Sequence, residues 1–160
     1  MIALVLCSLV AVGAGEPVQI AVLALEAKTG VTAEAASALT SALVAELART
    51  PGVEAHAMEV LKAEAQRAVD SRDMPRAEAA RTRLQKGVAS PLMVSGTVGK
   101  LGSQLFLNIT MINTRTAAPE GRVSLRTKDG EAGLIKQLPT AVKELLGTTV
   151  PAASAAPVKR

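Results

Sequence analysis

Two runs of apolar and β-branched residues, Leu92 to Val98 and Gln104 to Asn113, are separated only by Gly99-Lys100-Leu101-Gly102-Ser103. Strand-length runs joined by a short glycine-bearing loop specify an antiparallel hairpin, and this hairpin constrains the rest of the chain more than any other segment. In its second run Leu105, Leu107, Ile109 and Met111 alternate with Phe106, Asn108, Thr110 and Ile112. Successive side chains of a strand point to opposite faces, so one face is wholly apolar and the other mixed. The apolar face requires helices to cover it.

The segments that supply those helices are readable. Val18 to Leu25 is a continuous apolar run, which predicts a central strand buried on both faces of a sheet. After Lys28-Thr29-Gly30, Thr32 is placed to cap a helix that has Glu34 in its first turn. Ala36, Leu39, Leu43 and Leu47 then follow one face until Pro51-Gly52 stops it. Val53 to Met58 predicts a short strand, with Val53, Ala55 and Ala57 alternating against Glu54, His56 and Met58. Glu59 to Val69 predicts a helix with Leu61, Ala65, Ala68 and Val69 on one side, and Arg76 to Gln85 another, with Asp70 to Pro75 between them.

Beyond the hairpin, Thr116 to Gly121 reads as a turn. Arg122 to Lys128 reads as a strand that sets Val123, Leu125 and Thr127 against Arg122, Ser124, Arg126 and Lys128. A strand with one basic face belongs at a sheet edge, where charge discourages pairing with other chains. Asp129-Gly130 turns the chain into a helix over Glu131 to Leu146, which presents Leu134, Ile135, Leu138, Val142, Leu145 and Leu146. Pro139 is expected to kink or divide this helix, and Gly147 to stop it. The mixture of strands and helices, at 160 residues with no internal repeat, predicts one α/β domain over 16–147.

The two ends read differently. Met1 to Val12 is apolar apart from Ser8 and runs into Gly13, Ala14 and Gly15. That run is shorter than the about 20 residues needed to cross a bilayer and suits secretory cleavage, so 1–15 is read as a signal peptide, with a buried amino-terminal strand as the alternative. No Lys or Arg lies between Met1 and Leu6, which departs from the pattern. Cys7 is read as unacylated, because Leu6 fills the small-residue position before it. Residues 148–160, rich in Ala and Pro without periodicity, read as a flexible tail. The mature chain is expected to be periplasmic or secreted, with no transmembrane segment.

Composition narrows the chemistry. One Cys and one His exclude an intramolecular disulfide, a thiolate cluster and a multi-histidine zinc site. His56 has only Glu54 and Glu59 near it in sequence and reads as a half-buried strand residue rather than a general base. Ser95-Gly96-Thr97 lacks the nucleophile-elbow pattern, and its glycine is read as a site of close helix packing. Gly99-Lys100-Leu101-Gly102 matches the G-x-x-G of KH domains, but it joins strands rather than helices. The single aromatic residue also leaves no stacking platform, so no nucleic-acid partner is expected. Glu54, Glu59, Glu64, Asp70 and Asp73 form an acidic band without calcium-loop spacing. No cofactor, metal or catalytic residue is expected. The net charge of +4 is uneven, acids prevailing in residues 1–80 and bases in 81–160, notably Arg81, Arg83, Lys86, Arg115 and the last strand.

The segments VQIAVLALEAKTGVTAEAASALTSALVAELARTPGVEAHAMEVLKAE and PLMVSGTVGKLGSQLFLNITMINTRTAAPEGRVSLRT, in this order behind a signal peptide, resemble the amino-terminal domain of TolB. They are also similar to its relatives among CsgG-like curli-assembly lipoproteins and penicillin-binding-protein activators. The resemblance covers residues 17 to 147. It implies a three-layer α/β/α fold, anticodon-binding-domain-like, with a mixed five-stranded sheet in the order 2-1-3-4-5 and strand 4 antiparallel. It also implies a job in protein contacts within the bacterial cell envelope and no enzyme activity. The cysteine pair carried by many relatives between the second helix and the hairpin is missing from Asp70 to Gln85. There is also no propeller, TPR or PEGA module, so the expectation is a stand-alone domain rather than a full TolB.

Two functional expectations follow. The first is a non-catalytic envelope domain that binds or assembles with another protein, with Arg122, Arg126, Lys128 and Lys100 as the contact residues. The alternative is a secreted domain that binds a small ligand or nucleotide in the crevice at the strand carboxyl ends. Ala24 to Gly30 offers only one glycine there and no phosphate-binding fingerprint.

Overall fold

Strands β4 (Leu92–Leu101) and β5 (Gln104–Asn113) pair antiparallel along their whole length, from Leu92 opposite Asn113 to Leu101 opposite Gln104, in a computed structural model that describes residues 16–147. The predicted signal peptide with Cys7 and the predicted tail lie outside the described residues. The connecting loop is shorter than the sequence suggested. Gly99, Lys100 and Leu101 continue the strand, and only Gly102-Ser103 turns, with Gly102 at φ 62° in the left-handed region that glycine enters without strain.

The remaining strands assemble around this hairpin. β1 (Val18–Val22) lies between β3 (Val53–Ala57) and β4, parallel to both, and β6 (Pro119–Thr127) pairs antiparallel with β5. The sheet order is β3-β1-β4-β5-β6, which is 2-1-3-4-5 for the five main strands, with β5 running against its neighbours as expected. β1 is interior, but β4 holds the middle position. The apolar run that predicted one strand to Leu25 is broken: Val18–Val22 ends and a two-residue strand β2 (Glu26–Ala27) pairs with β4, giving a sixth strand. The reason lies at Leu25, whose N–H donates to Thr40 Oγ1 at 3.0 Å instead of to a neighbouring strand.

Four helices cover the sheet unequally. α1 (Ala33–Arg49) begins at the predicted cap, Thr32 Oγ1 accepting from the Ala35 N–H at 3.2 Å, and buries Ala36, Leu39, Leu43 and Leu47. With α4 (Gly130–Gly147) it covers one face, where Ile20, Val94, Leu107, Ile109, Met111, Leu134, Leu138 and Leu145 form the main core. On the other face α2 (Met58–Asp70) and α3 (Met74–Val88) form a smaller cluster in which Met58, Leu61 and Leu84 meet Ala21, Leu23 and Met93. Three layers are present, and the second helical layer is narrower than the sheet.

Several expectations are corrected. Met58 opens α2 rather than closing β3, and Val69 is 53% exposed rather than on the packed side. The link between α2 and α3 shrinks to Ser71–Asp73, because Asp73 caps α3 and Pro75 fits its first turn, where no intrahelical N–H is needed. β6 begins at Pro119, three residues early, through a register shift between Met111 and Ile112, and ends at Thr127, leaving Lys128 outside. Pro139 does not divide α4. Both Pro139 and Ile135, whose carbonyl would have met the missing N–H, lie on the solvent side, where the break leaves no polar group in the core, and Ile135 is 42% exposed instead of packed.

The close approach read at Gly96 is real, but a strand and a loop make it rather than a helix. A Cβ there would collide with the Asn108 carbonyl oxygen and stand 2.7 Å from Leu25 Cδ2. Replacing Gly96 by Ala should therefore push the hairpin apart and destabilise the protein by about 1–3 kcal/mol. Gly147→Ala, where nothing lies within 4 Å of an added Cβ, is the control that should stay near wild type. Urea unfolding of both variants checks this.

Candidate functional site

The four cations expected to act together fall into two groups. Phe106 pairs with Arg126, Asn108 with Ser124 and Thr110 with Arg122 across β5 and β6, so Arg122 and Arg126 share the mixed face of the hairpin. Lys100 pairs instead with Leu105, a core-facing position, and projects at the end of β4. There it lines a hollow of about 330 Å³ together with Lys128, Gly30, Thr32, Ser103 and Glu131, between the starts of α1 and α4. Lys100 and Lys128 thus belong with each other and with Glu131 around one hollow, and not with the arginines.

The mixed face is where the narrow second helical layer matters. α2 and α3 reach as far as Met93 at the start of β4. Beyond it Ser95, Thr97, Phe106, Asn108 and Thr110 are only half-buried, and Arg122, Ser124 and Arg126 are exposed. The surface is nevertheless ordered by its own contacts. Ser124 Oγ donates to Asn108 Oδ1 at 2.7 Å, and the Phe106 ring lies over Gly99, where a Cβ would stand 2.9 Å from Cε1. Leu101, 79% exposed, forms with Gln104, Phe106, Asn108 and Arg126 a shallow hollow of about 290 Å³. Among the described residues neither Arg122 nor Arg126 has a carboxylate within 4 Å.

β6 is the edge strand, as predicted, but much of that edge is closed. Gln137 Nε2 of α4 donates to the Arg126 carbonyl oxygen at 3.3 Å, Pro119 lacks an N–H, and the register shift bends the strand's start. Each device discourages addition of another strand. The face is therefore a better contact than the edge.

Other candidates carry less chemistry. The crevice at the carboxyl ends of β1 and β3 is a hollow of about 270 Å³ between α1 and α2, lined chiefly by Ala24, Leu25, Ala27, Ala33, Ala36 and Val60, with Glu59 as its one charged residue. Two of its three hydroxyls are already used: Thr40 Oγ1 accepts from Leu25 N and donates to the Ala36 carbonyl at 2.7 Å, and Ser41 Oγ donates to the Ser37 carbonyl. Nothing there neutralises a phosphate. His56 is half-buried as expected, with Glu54 Oε1 at 3.5 Å and Nε2 without a hydrogen-bond partner. The acidic band breaks into local pairs, Glu59 with Lys62, Glu64 with Arg83, and Asp70 with the Gln66 amide, while Asp73 caps α3. Among the described residues no three of His, Cys, Asp and Glu could hold a metal ion, and no helix is long and apolar enough to cross a membrane.

No protein-family model matches the sequence, and no curated protein is similar to it in sequence. Solved structures are similar in fold. Lipoprotein GNA1162 from Neisseria meningitidis is 14% identical, with a TM-score of 0.51 over 84% of this chain and 100% of that one. The fold is shared with a bacterial lipoprotein. A single-substitution variant of the PelC dodecamer from Paraburkholderia phytofirmans is 13% identical, with a TM-score of 0.50 over 84% of this chain and 89% of that one. The LpoB C-terminal domain from Salmonella enterica is 11% identical, with a TM-score of 0.47 over 71% of this chain and 84% of that one.

Two features escaped the sequence reading. Thr40 stands inside the apolar stripe of α1, four residues after Ala36, where a buried hydroxyl signals a specific partner. The hollow beside Phe106 was signalled by the pairing of the only aromatic residue with Gly99 in hairpin register. Thr40→Val leaves the Leu25 N–H buried without its acceptor and should cost about 1–3 kcal/mol. Thermal or urea unfolding measures that loss, and an unchanged midpoint would mean the bond is dispensable.

Proposed function

We propose that this chain is a non-catalytic, periplasmic or secreted protein-binding domain of the bacterial cell envelope, a counterpart of the TolB amino-terminal and CsgG-like domains. The observation that carries the reading is the half of the β4–β5–β6 face left without helical cover, which bears two exposed, unpaired arginines beside a partly apolar hollow. A sheet face with a half-buried aromatic, a Ser124–Asn108 hydrogen bond and free charges suits a protein contact, in which a partner covers the apolar part and meets the charge. The fold likeness to a lipoprotein supports the envelope setting. Cys7 follows Leu6, so the unacylated secreted form is preferred to a lipid-anchored one.

Of the residues proposed as contacts, Arg122 and Arg126 are retained at the centre, and Lys100 and Lys128 line a separate hollow on the opposite face of the sheet. Photo-cross-linking in living cells tests the arrangement. A benzophenone side chain in place of Ser124 should give a discrete adduct with an envelope protein, whereas the same group in place of Ala63, exposed on α2, should not. Adducts at neither position, or only on α2, would overturn the proposal.

A further inference from the structure

The spacing of charges on the uncovered face specifies what kind of partner surface fits it. Arg122 and Arg126 are four residues apart on one strand and point to the same side, which separates their Cα atoms by about 13 Å. The row between them is neutral, Ser124 being tied to Asn108. The hollow lined by Leu101 and Phe106 begins beside Arg126, because Phe106 is its cross-strand neighbour. At the other end the register shift breaks the alternation just before Arg122, and Glu120 is held there by the Asn113 amide at 3.0 Å. From Arg122 to Arg126 the face therefore reads cationic, neutral and cationic, with the apolar hollow beside Arg126 on the β5 side.

We infer that this face docks an extended acidic segment of a partner protein, laid along β6, with two carboxylates four residues apart and an apolar side chain next to the second. The inference rests on the protein-binding reading above and names the chemistry of that partner. An extended chain repeats its side-chain direction every second residue at the same rise as β6. Acids at positions i and i+4 thus reach Arg122 and Arg126 together, while i+6 falls level with Gln104 and Leu101, at the outer end of the hollow. Two guanidiniums and one aromatic residue suit a carboxylate pair better than a nucleic acid, which needs a longer basic track and more stacking surfaces.

The test uses the full chain and a displayed library of random twelve-residue peptides. Selected peptides should be enriched in Asp or Glu at i and i+4 with Leu, Ile, Phe or Met at i+6. A synthetic peptide of that pattern should bind the Arg122→Glu/Arg126→Glu protein about tenfold or more weakly than wild type. It should also lose affinity for Phe106→Ala and bind Lys100→Glu/Lys128→Glu within about twofold of wild type. Circular dichroism and unfolding midpoints of each variant separate lost binding from lost folding. Enriched peptides without the acidic spacing, or with affinities indifferent to the arginine pair, overturn this inference and leave the protein-binding reading standing. Enrichment of no peptide, with a second copy of the chain or single-stranded DNA covering the face instead, overturns both.

Discussion

The register of the β4–β5 hairpin is the constraint on which the rest of the structure depends. With Gly96 opposite Ile109 and Gly99 opposite Phe106, the residues Leu105, Leu107, Ile109 and Met111 all turn toward α1 and α4. A slip of one position would exchange them for Phe106, Asn108, Thr110 and Ile112, placing polar groups in the core and the apolar stripe in water. The two glycines oppose such a slip, because each occupies a place where the opposing strand or a side chain comes too close for a Cβ. Register, core and open face are one decision.

That decision is asymmetric in its consequences. On the α1–α4 side the core is continuous across the sheet, from Ile20 to Val123. On the other side burial stops at Met93, and β5 and β6 present half-buried or exposed side chains. The chain tolerates this because the side chains there keep contact with water, because Ser124 bonds Asn108, and because the Phe106 ring is partly covered and lies on Gly99. The proposed contact is thus the place where the fold's own packing ends.

Local elements were legible where a single physical pattern governed them. Thr32, Pro51-Gly52, the stripe from Ala36 to Leu47 and the alternation in β5 each follow from helix or strand geometry alone, and each is found where expected. The misplaced features all depended on a distant partner. Leu25 leaves its strand for Thr40, β6 starts early because a bulge lets Pro119 face Ile112, and Pro139 stays inside α4 because the affected carbonyl faces solvent. The candidate site divided in the same way. Alternation identified Arg122 and Arg126 as sharing a face, but the step from Thr127 to Lys128 leaves the strand and Lys100 turns to the opposite face, which alternation within one strand cannot report.

By itself the sequence determined which segments are strands and helices, which side of each is apolar, and that its lone Cys and His leave scant material for chemistry, since these depend on local periodicity and residue type. The tertiary structure decided how far each helical layer extends, and therefore which mixed face remains open to a partner. Coverage depends on the lengths and crossing of elements distant in the chain: α2 and α3 pack over β1 and stop short of β5 and β6. No single segment carries that information.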